Sequence, residues 1–249
     1  MSDQPDGSGE SGLGRGWREA GALVALLQFS DGLFPAGGFA HSFGLETYAQ
    51  AGLVRDRAGL EAFVTAHLEG SAGPCEAVAA ARAARVARPA ATGSLAAWLE
   101  IDGRLDAMKY VPEFRAGSRQ MGRQTVRAAS ALGEDATLGA LAAAIDDGDT
   151  AGHHALVFGA VTGRAGLPPG DVAAAFLYST AALLVNAGLR LLPLGQIDGQ
   201  RTLAAVRPLI ASLAERAARA RLEDMWSFTP GLERAGLAHA RLERRLFRS

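Results

Sequence analysis

Apolar residues recur along most of the chain at helical spacing. Leu60, Phe63, Val64, His67 and Leu68 fall at i, i+3, i+4, i+7 and i+8, which places all five on one buried stripe. Asp56 stands just ahead of that stripe as a candidate N-cap. Gly70-Ser71-Ala72-Gly73-Pro74 then reads as a break, followed by an alanine-rich helix from about Cys75 to Ala87 that stops before Pro89. The same pattern predicts helices at about 94–110, 113–131, 137–146, 152–165, 170–187, 199–221 and 233–246, most of them punctuated by glycine or proline. Alternating β-branched or aromatic runs are lacking, and no fixed-period repeat is seen. The expected fold is all-α: a single domain of about ten short helices in a helical bundle. Residues 170–187 are expected near its centre, because their apolar positions surround the helix.

The 249 residues suffice to bury roughly 70–75% of the unfolded surface. A net charge of -1 gives no overall basic field of the kind that marks a nucleic-acid binder. Cys75 is the only cysteine, so no disulfide can form within the chain, which suits a reducing compartment. Met1 to Gly16 is polar, acidic and glycine-rich, without the basic-then-apolar pattern of a signal peptide. The longest apolar run, Val172 to Ala187, falls short of the ~20 residues that span a bilayer. These features predict a soluble cytoplasmic protein that binds neither nucleic acid nor membrane. Its expected divisions are a disordered leader at 1–18, a helical domain at 19–238 and a C-terminal tail at 239–249.

The stretch Phe34-Pro-Ala-Gly-Gly-Phe-Ala-His-Ser-Phe-Gly-Leu-Glu46 is the densest in candidate chemistry. It is not a phosphate loop. No Gly-Lys pair exists to reach a nucleotide's phosphates, and Gly37, Gly38 and Gly44 do not fit G-x-G-x-x-G. Ala40-His-Ser42-Phe-Gly44 approximates the G-x-S-x-G turn of a serine hydrolase, which makes Ser42 an alternative nucleophile. That turn, however, joins a strand to a helix over a parallel sheet, and no sheet is in prospect. For metals, Asp146-Asp147-Gly148-Asp149 reads as an acidic turn capping the next helix. Neighbouring His153 and His154 point about 100° apart on a helix. With no H-E-x-x-H and no cysteine pair, no stable metal site or cofactor is expected, only passing nickel contact at His41, His153 or His154.

Three segments carry more than a bland role requires. Phe34, Phe39, Phe43 and Leu45 are too many large apolar groups for an idle loop. Arg190 to Arg201 is a polar turn behind the most apolar helix, where Asn186 and Arg190 can satisfy loop carbonyls. The tail from His239 to Ser249 sets Leu242, Leu246 and Phe247 among four arginines, a composition fitted to a groove in a partner.

Together these segments resemble the urease accessory protein UreF family. The matching stretches are residues 26–54, 151–167, 186–200 and the Arg-Leu-Phe-Arg-Ser ending at 245–249, in family order; about 75–135 carries no sharp motif. The resemblance implies an all-α, non-enzymatic chaperone that dimerises and joins a UreD/UreH-type protein. That assembly recruits the GTPase UreG, and nickel reaches apo-urease in a GTP-dependent way. Carried over by motif, the partner-binding residues are Phe39, His41, Ser42, Glu46, Tyr48, Arg190, Gln196, Gln200, Arg245, Leu246, Phe247, Arg248 and Ser249. Arg245 is expected to anchor the GTPase, with the tail mobile until the UreD-type protein binds; its contact either supplies an arginine finger or restrains the GTPase. His41 and Glu46 either brace the turn or face a partner, and Ser42 can cap the helix that follows. Two positions depart from the family pattern: Ala240 follows His239 where glutamate is frequent, and Ala155 stands where proline is frequent.

Overall fold

The computed structural model describes residues 12–87 and 94–249. Eleven α-helices, two short 3-10 turns and a π-helical stretch make up its regular structure, and no strand occurs among the described residues. The fold is all-α, as the periodicity predicts. The helices are α1 (Gly12–Ser30), α2 (Leu45–Gln50), α3 (Arg57–His67), α4 (Val78–Ala87), α5 (Ser94–Met108) and α6 (Pro112–Leu132), followed by α7 (Ala136–Asp146), α8 (His154–Arg164), α9 (Pro169–Leu191), α10 (Gln196–Arg219) and α11 (Pro230–His239). Residues 1–11 of the expected leader lie outside the described residues, and α1 reaches into the rest of it.

Asp56 caps α3 as expected, its Oδ1 accepting the Gly59 amide at 2.8 Å. All five stripe residues from Leu60 to Leu68 are buried. The break expected at Gly70–Pro74 does not occur. The chain continues through Leu68–Ala77 as a π-helix into α4. Pro74 has no N–H to donate, and wider turns leave carbonyls free. Phe228 N donates to the Gly70 carbonyl at 2.8 Å and Trp226 N to the Pro74 carbonyl at 3.3 Å, so the segment before α11 completes the irregular turn.

The centre also differs from expectation. Every residue of α8 from Ala155 to Gly163 is buried, whereas α9 leaves Tyr178, Asn186 and Arg190 exposed. The cause is backbone proximity. A Cβ on Gly159 would stand 2.2 Å from the Ala80 carbonyl oxygen, and one on Gly163 would stand 2.5 Å from the Ala84 Cα. Alanines on α4 and glycines on α8 thus let two helices touch along their backbones. Helix α9 spans 23 residues, more than the run read from the sequence, and is long and apolar enough to cross a membrane. Half of its most apolar stretch is buried in this fold, where it packs on α10, α4 and α8.

The acidic turn Asp146–Asp149 does not cap α8. It ends α7 and lies exposed. Fully buried Asp102 of α5 does that work instead, accepting from Thr150 Oγ1 and Gly152 N at 2.6 Å each and from His153 N at 2.9 Å.

Candidate functional site: a loop that holds the tail

The loop from Pro35 to Gly44 crosses the top of α6 and α9. Gly37 and Gly44 take left-handed conformations (φ 80° and 91°), and Phe43, at φ 48°, joins them as the sole non-glycine with positive φ among the described residues. The amides of Ser42 and Phe43, just ahead of this turn, converge on a common point that suits an oxygen. The main-chain oxygen of Ser249 occupies it, accepting from Ser42 N at 2.6 Å, Phe43 N at 3.1 Å and Ser42 Oγ at 2.8 Å. The Ser249 hydroxyl meets His41 Nδ1 at 2.7 Å.

Glu46, in the first turn of α2, is almost completely buried. Its carboxylate accepts the Leu246 amide at 2.7 Å and the Phe247 amide at 3.1 Å, and it lies 3.0 Å from His239 Nε2. The other nitrogen of His239 lies 2.6 Å from Glu113 Oε2, and Arg245 donates to Glu113 Oε1 at 3.0 Å. Arg248 N donates to the Ala40 carbonyl at 2.8 Å. Arg190 binds the Phe39 carbonyl at 3.0 Å and sets its guanidinium 4.4 Å from the centre of the Phe247 ring, a cation–π contact.

The tail is therefore docked, and its last four side chains alternate between outward and inward. Phe247 and Ser249 are buried; Leu246 and Arg248 face out. This corrects two expectations. The last helix stops at His239 rather than 246, and the tail is seated on its own chain instead of standing free. The reason is the supply of acceptors and donors on the loop, which an isolated reading of 239–249 does not contain. His41, Ser42 and Glu46, expected to face a partner or brace the turn, are buried beneath the tail and brace it. Ser42 does not cap α2. Gly44 holds the N-cap position, and Ser42 Oγ reaches the Glu46 amide only at 3.4 Å. Tyr48 packs edge-on against Phe63 at 5.3 Å, half-buried in the core.

Phe39, Gln196 and Gln200 are exposed around a cavity of about 370 Å³ beside Arg190, between the loop, α9 and the start of α10. Ser42 offers no hydrolase geometry. Its Oγ is enclosed and donates to Ser249, His41 bonds Ser249 rather than Ser42, and the strained residue of the turn is Phe43.

The imidazoles expected to touch nickel are otherwise engaged. His41 lies against Gly117 of α6 and stacks on Phe43. Burial, then the Arg248 charge, pushes it down to about 4. His153 is fully buried, with Ser118 Oγ at 3.0 Å on one nitrogen and Asp106 Oδ1 at 3.0 Å on the other; burial holds it below the usual imidazole range. His154 sits between the Phe158 and Phe176 rings, 5.9 and 5.7 Å away, and burial pushes it down to about 4. Among the described residues, no group of three or more His, Cys, Asp or Glu could hold a metal.

Glu113, Gln50 and Asp102 escaped the sequence reading. Glu113 follows Pro112 and reads as an ordinary acidic residue of a first helical turn. Gln50, which binds the Arg244 carbonyl at 2.9 Å, carries no signal of its own.

Known proteins are similar to this chain along nearly its whole length. The family model UreF matches residues 54–207. The Urease accessory protein UreF of Bacillus sp. (strain TB-90) is 30% identical over 227 residues, covering 91% of this chain and 99% of that protein. Its namesake from Paenarthrobacter aurescens (strain TC1) is 32% identical over 230 residues, covering 91% and 97%. That from Rhodopseudomonas palustris (strain BisA53) is 35% identical over 232 residues, covering 92% and 94%. With more than half of its length matched by the family model and these relatives covered almost end to end, this chain belongs to the UreF family of urease accessory proteins.

Proposed function

We propose that the chain is a cytoplasmic, homodimeric adaptor of urease maturation. It bridges a UreD/UreH-type protein to the GTPase UreG, so that nickel enters apo-urease in a GTP-dependent step. It does this by surface complementarity, with no catalytic residue and no resident cofactor. The observation that carries this reading is the seating of the tail on the loop. Three sequence stretches that lie far apart, around Phe39, Arg190 to Gln196 and Arg248, gather there around one surface. Phe39 and Leu246 are exposed there, as are Arg244, Arg245 and Arg248. Aromatic and arginine side chains of this kind are enriched where proteins meet.

Co-expression with UreD-type and UreG-type proteins, followed by size exclusion with mass determination, tests the reading. A ternary complex is expected, and it should weaken at least tenfold in an Arg244→Glu/Leu246→Asp variant, whose changes lie on the exposed side of the tail. GTP turnover of complexes at matched occupancy, with and without Arg245→Ala, separates an arginine finger from a restraint: only a finger gives a lower rate in the variant. A full-strength complex from the double variant, with helical circular dichroism intact, would overturn the adaptor role of this surface.

A further inference from the structure

Helix α6 carries four arginines at strict four-residue spacing: Arg115, Arg119, Arg123 and Arg127. Residues four apart stack on one face of a helix, so these side chains form a single ridge, about 18 Å from first to last. The first half of the ridge shows what it binds. Asp106 of α5 sets its carboxylate between Arg115 and Arg119, with Arg115 Nη2 donating to Oδ2 at 2.8 Å and Arg119 Nε to Oδ1 at 3.1 Å. His153 Nε2 adds a third contact, 3.0 Å from Oδ1. The second half repeats the spacing without the acid. Arg123 and Arg127 are exposed, and neither forms a salt bridge among the described residues. The single acid of α6, Glu113, is taken by His239 and Arg245. Asp31, which lies by Ala128 and Leu132 on the next flank, accepts the Leu33 amide at 2.7 Å. Arg248 of the tail extends the row: its Nη1 reaches the Gln120 side-chain oxygen at 3.5 Å, one turn before Arg123.

We propose that Arg123 and Arg127, with Arg248 beside them, dock an acidic segment of a partner protein, one carboxylate bridging the two ridge arginines as Asp106 bridges Arg115 and Arg119. A guanidinium fork binds a carboxylate through two N–H groups, and such charge-assisted bonds are shorter and stronger than neutral ones. Like charges one turn apart repel, so an arriving carboxylate also relieves a cost that the isolated helix carries. A protein acid fits this ridge better than a nucleic acid does. The chain's net charge of -1 supplies no long-range field for a polyanion, and two or three guanidinium groups make a short footprint. The ridge adjoins the docked tail through Arg248, so an acidic segment lying along α6 continues onto the tail. That role in the assembly rests on the adaptor reading given above.

The test uses the full chain and a labelled alanine-based peptide with glutamate at every fourth position, long enough at about 20 residues to form a helix. Binding is followed by fluorescence anisotropy at about 0.05 M salt, where surface charges are weakly screened. The wild type is expected to bind, with affinity falling about tenfold or more in Arg123→Gln/Arg127→Gln, the scale of losing one bridged carboxylate. Arg207→Gln, which removes an exposed arginine from α10, should change affinity less than about twofold. The same peptide with glutamine in place of glutamate should not bind. No binding by the wild type, an unaffected double variant, or an equal loss in Arg207→Gln would each overturn the proposal. So would an oligothymidylate of equal length that binds more tightly than the peptide and is lost in the double variant, which assigns the ridge to nucleic acid. A chain that ignores the peptide but forms the ternary complex defeats the ridge and leaves the adaptor reading standing. One that binds the peptide and forms no ternary complex does the reverse.

Discussion

Replacing Phe247 by alanine should unseat the tail while leaving the helical body folded. The ring is only 4% exposed, and burying a phenylalanine side chain contributes about 1.5–3 kcal/mol. Its contact with the exposed Arg190 guanidinium adds about 0.5–1 kcal/mol. The loss of about 2–4 kcal/mol corresponds to a roughly 30- to 800-fold fall in the docked-to-released ratio. For 249 residues, 1 kcal/mol moves a global Tm by only about 2 °C, and a tail that opens by itself moves it less. The decisive measurement is therefore local: hydrogen exchange at the Leu246 and Arg248 amides, whose acceptors are Glu46 Oε1 and the Ala40 carbonyl. Leu246→Ala is the internal control, because that side chain is 54% exposed and its removal should change protection less than about fivefold. If Phe247→Ala stays within threefold of wild type, or if Leu246→Ala loses as much, then the alternation of buried and outward side chains does not describe the tail.

Gly159→Ala should lower Tm by at least about 2–4 °C, since overpacking of about 1–3 kcal/mol against the Ala80 carbonyl exceeds the helix-propensity gain; Gly103→Ala on α5, where nothing lies within 4 Å, should raise it by about 1–2 °C. Thermal melts of the pair check both signs, and a stabilised Gly159→Ala would refute the close α4–α8 approach. Between pH 6.5 and about 4 the unfolded chain takes up protons at His41 and His154 that the folded chain refuses. Their contribution to stability is thus complete above pH 6.5 and lost as pH falls toward 4. Imidazole NMR titration should give midpoints near 4 for both rings, and midpoints near 6.5 would contradict their enclosure. Cys75 is buried and its thiol is pushed up to about 12, mainly by that burial, so a disulfide reagent at pH 8 should leave the native chain unmodified and react after denaturation.

What the sequence reveals and what it hides divides by the distance over which each feature is satisfied. Helix α3 is legible because Asp56 reaches only to Gly59 and its stripe repeats within two turns. The π-helical join is not. Pro74 announces a missing donor, but the amides that complete the turn, Trp226 and Phe228, come from more than 150 residues away. The enclosure of α8 needs Gly159 and Gly163 on one helix and Ala80 and Ala84 on another, and neither half is distinctive alone. The surrounding apolar pattern of α9 pointed to the centre, yet Ala174, Ala175, Ser179, Thr180 and Ala182 are only half-buried, small residues that tolerate a partly open flank.

The candidate site follows the same rule. Motif reading selected His41, Ser42, Glu46, Phe247 and Ser249 from opposite ends of the chain, and the fold brings all five together. It could not supply their orientation, because Ser42 binds Ser249 across 207 positions and Glu46 meets His239 across 193. A buried carboxylate must find donors, and the local sequence around Glu46 offers only Gln50, at 3.4 Å. The unmet demand is itself a signal. A glutamate in a stretch as apolar as Phe39 to Leu45 needs partners from elsewhere, and the arginine-rich tail, read for its cations, provides two backbone amides and the histidine at its base. That is why the tail docks through its backbone and its one phenylalanine. It leaves Arg241, Arg244 and Arg248 exposed and pairs Arg245 with Glu113, so most of its positive charge faces outward.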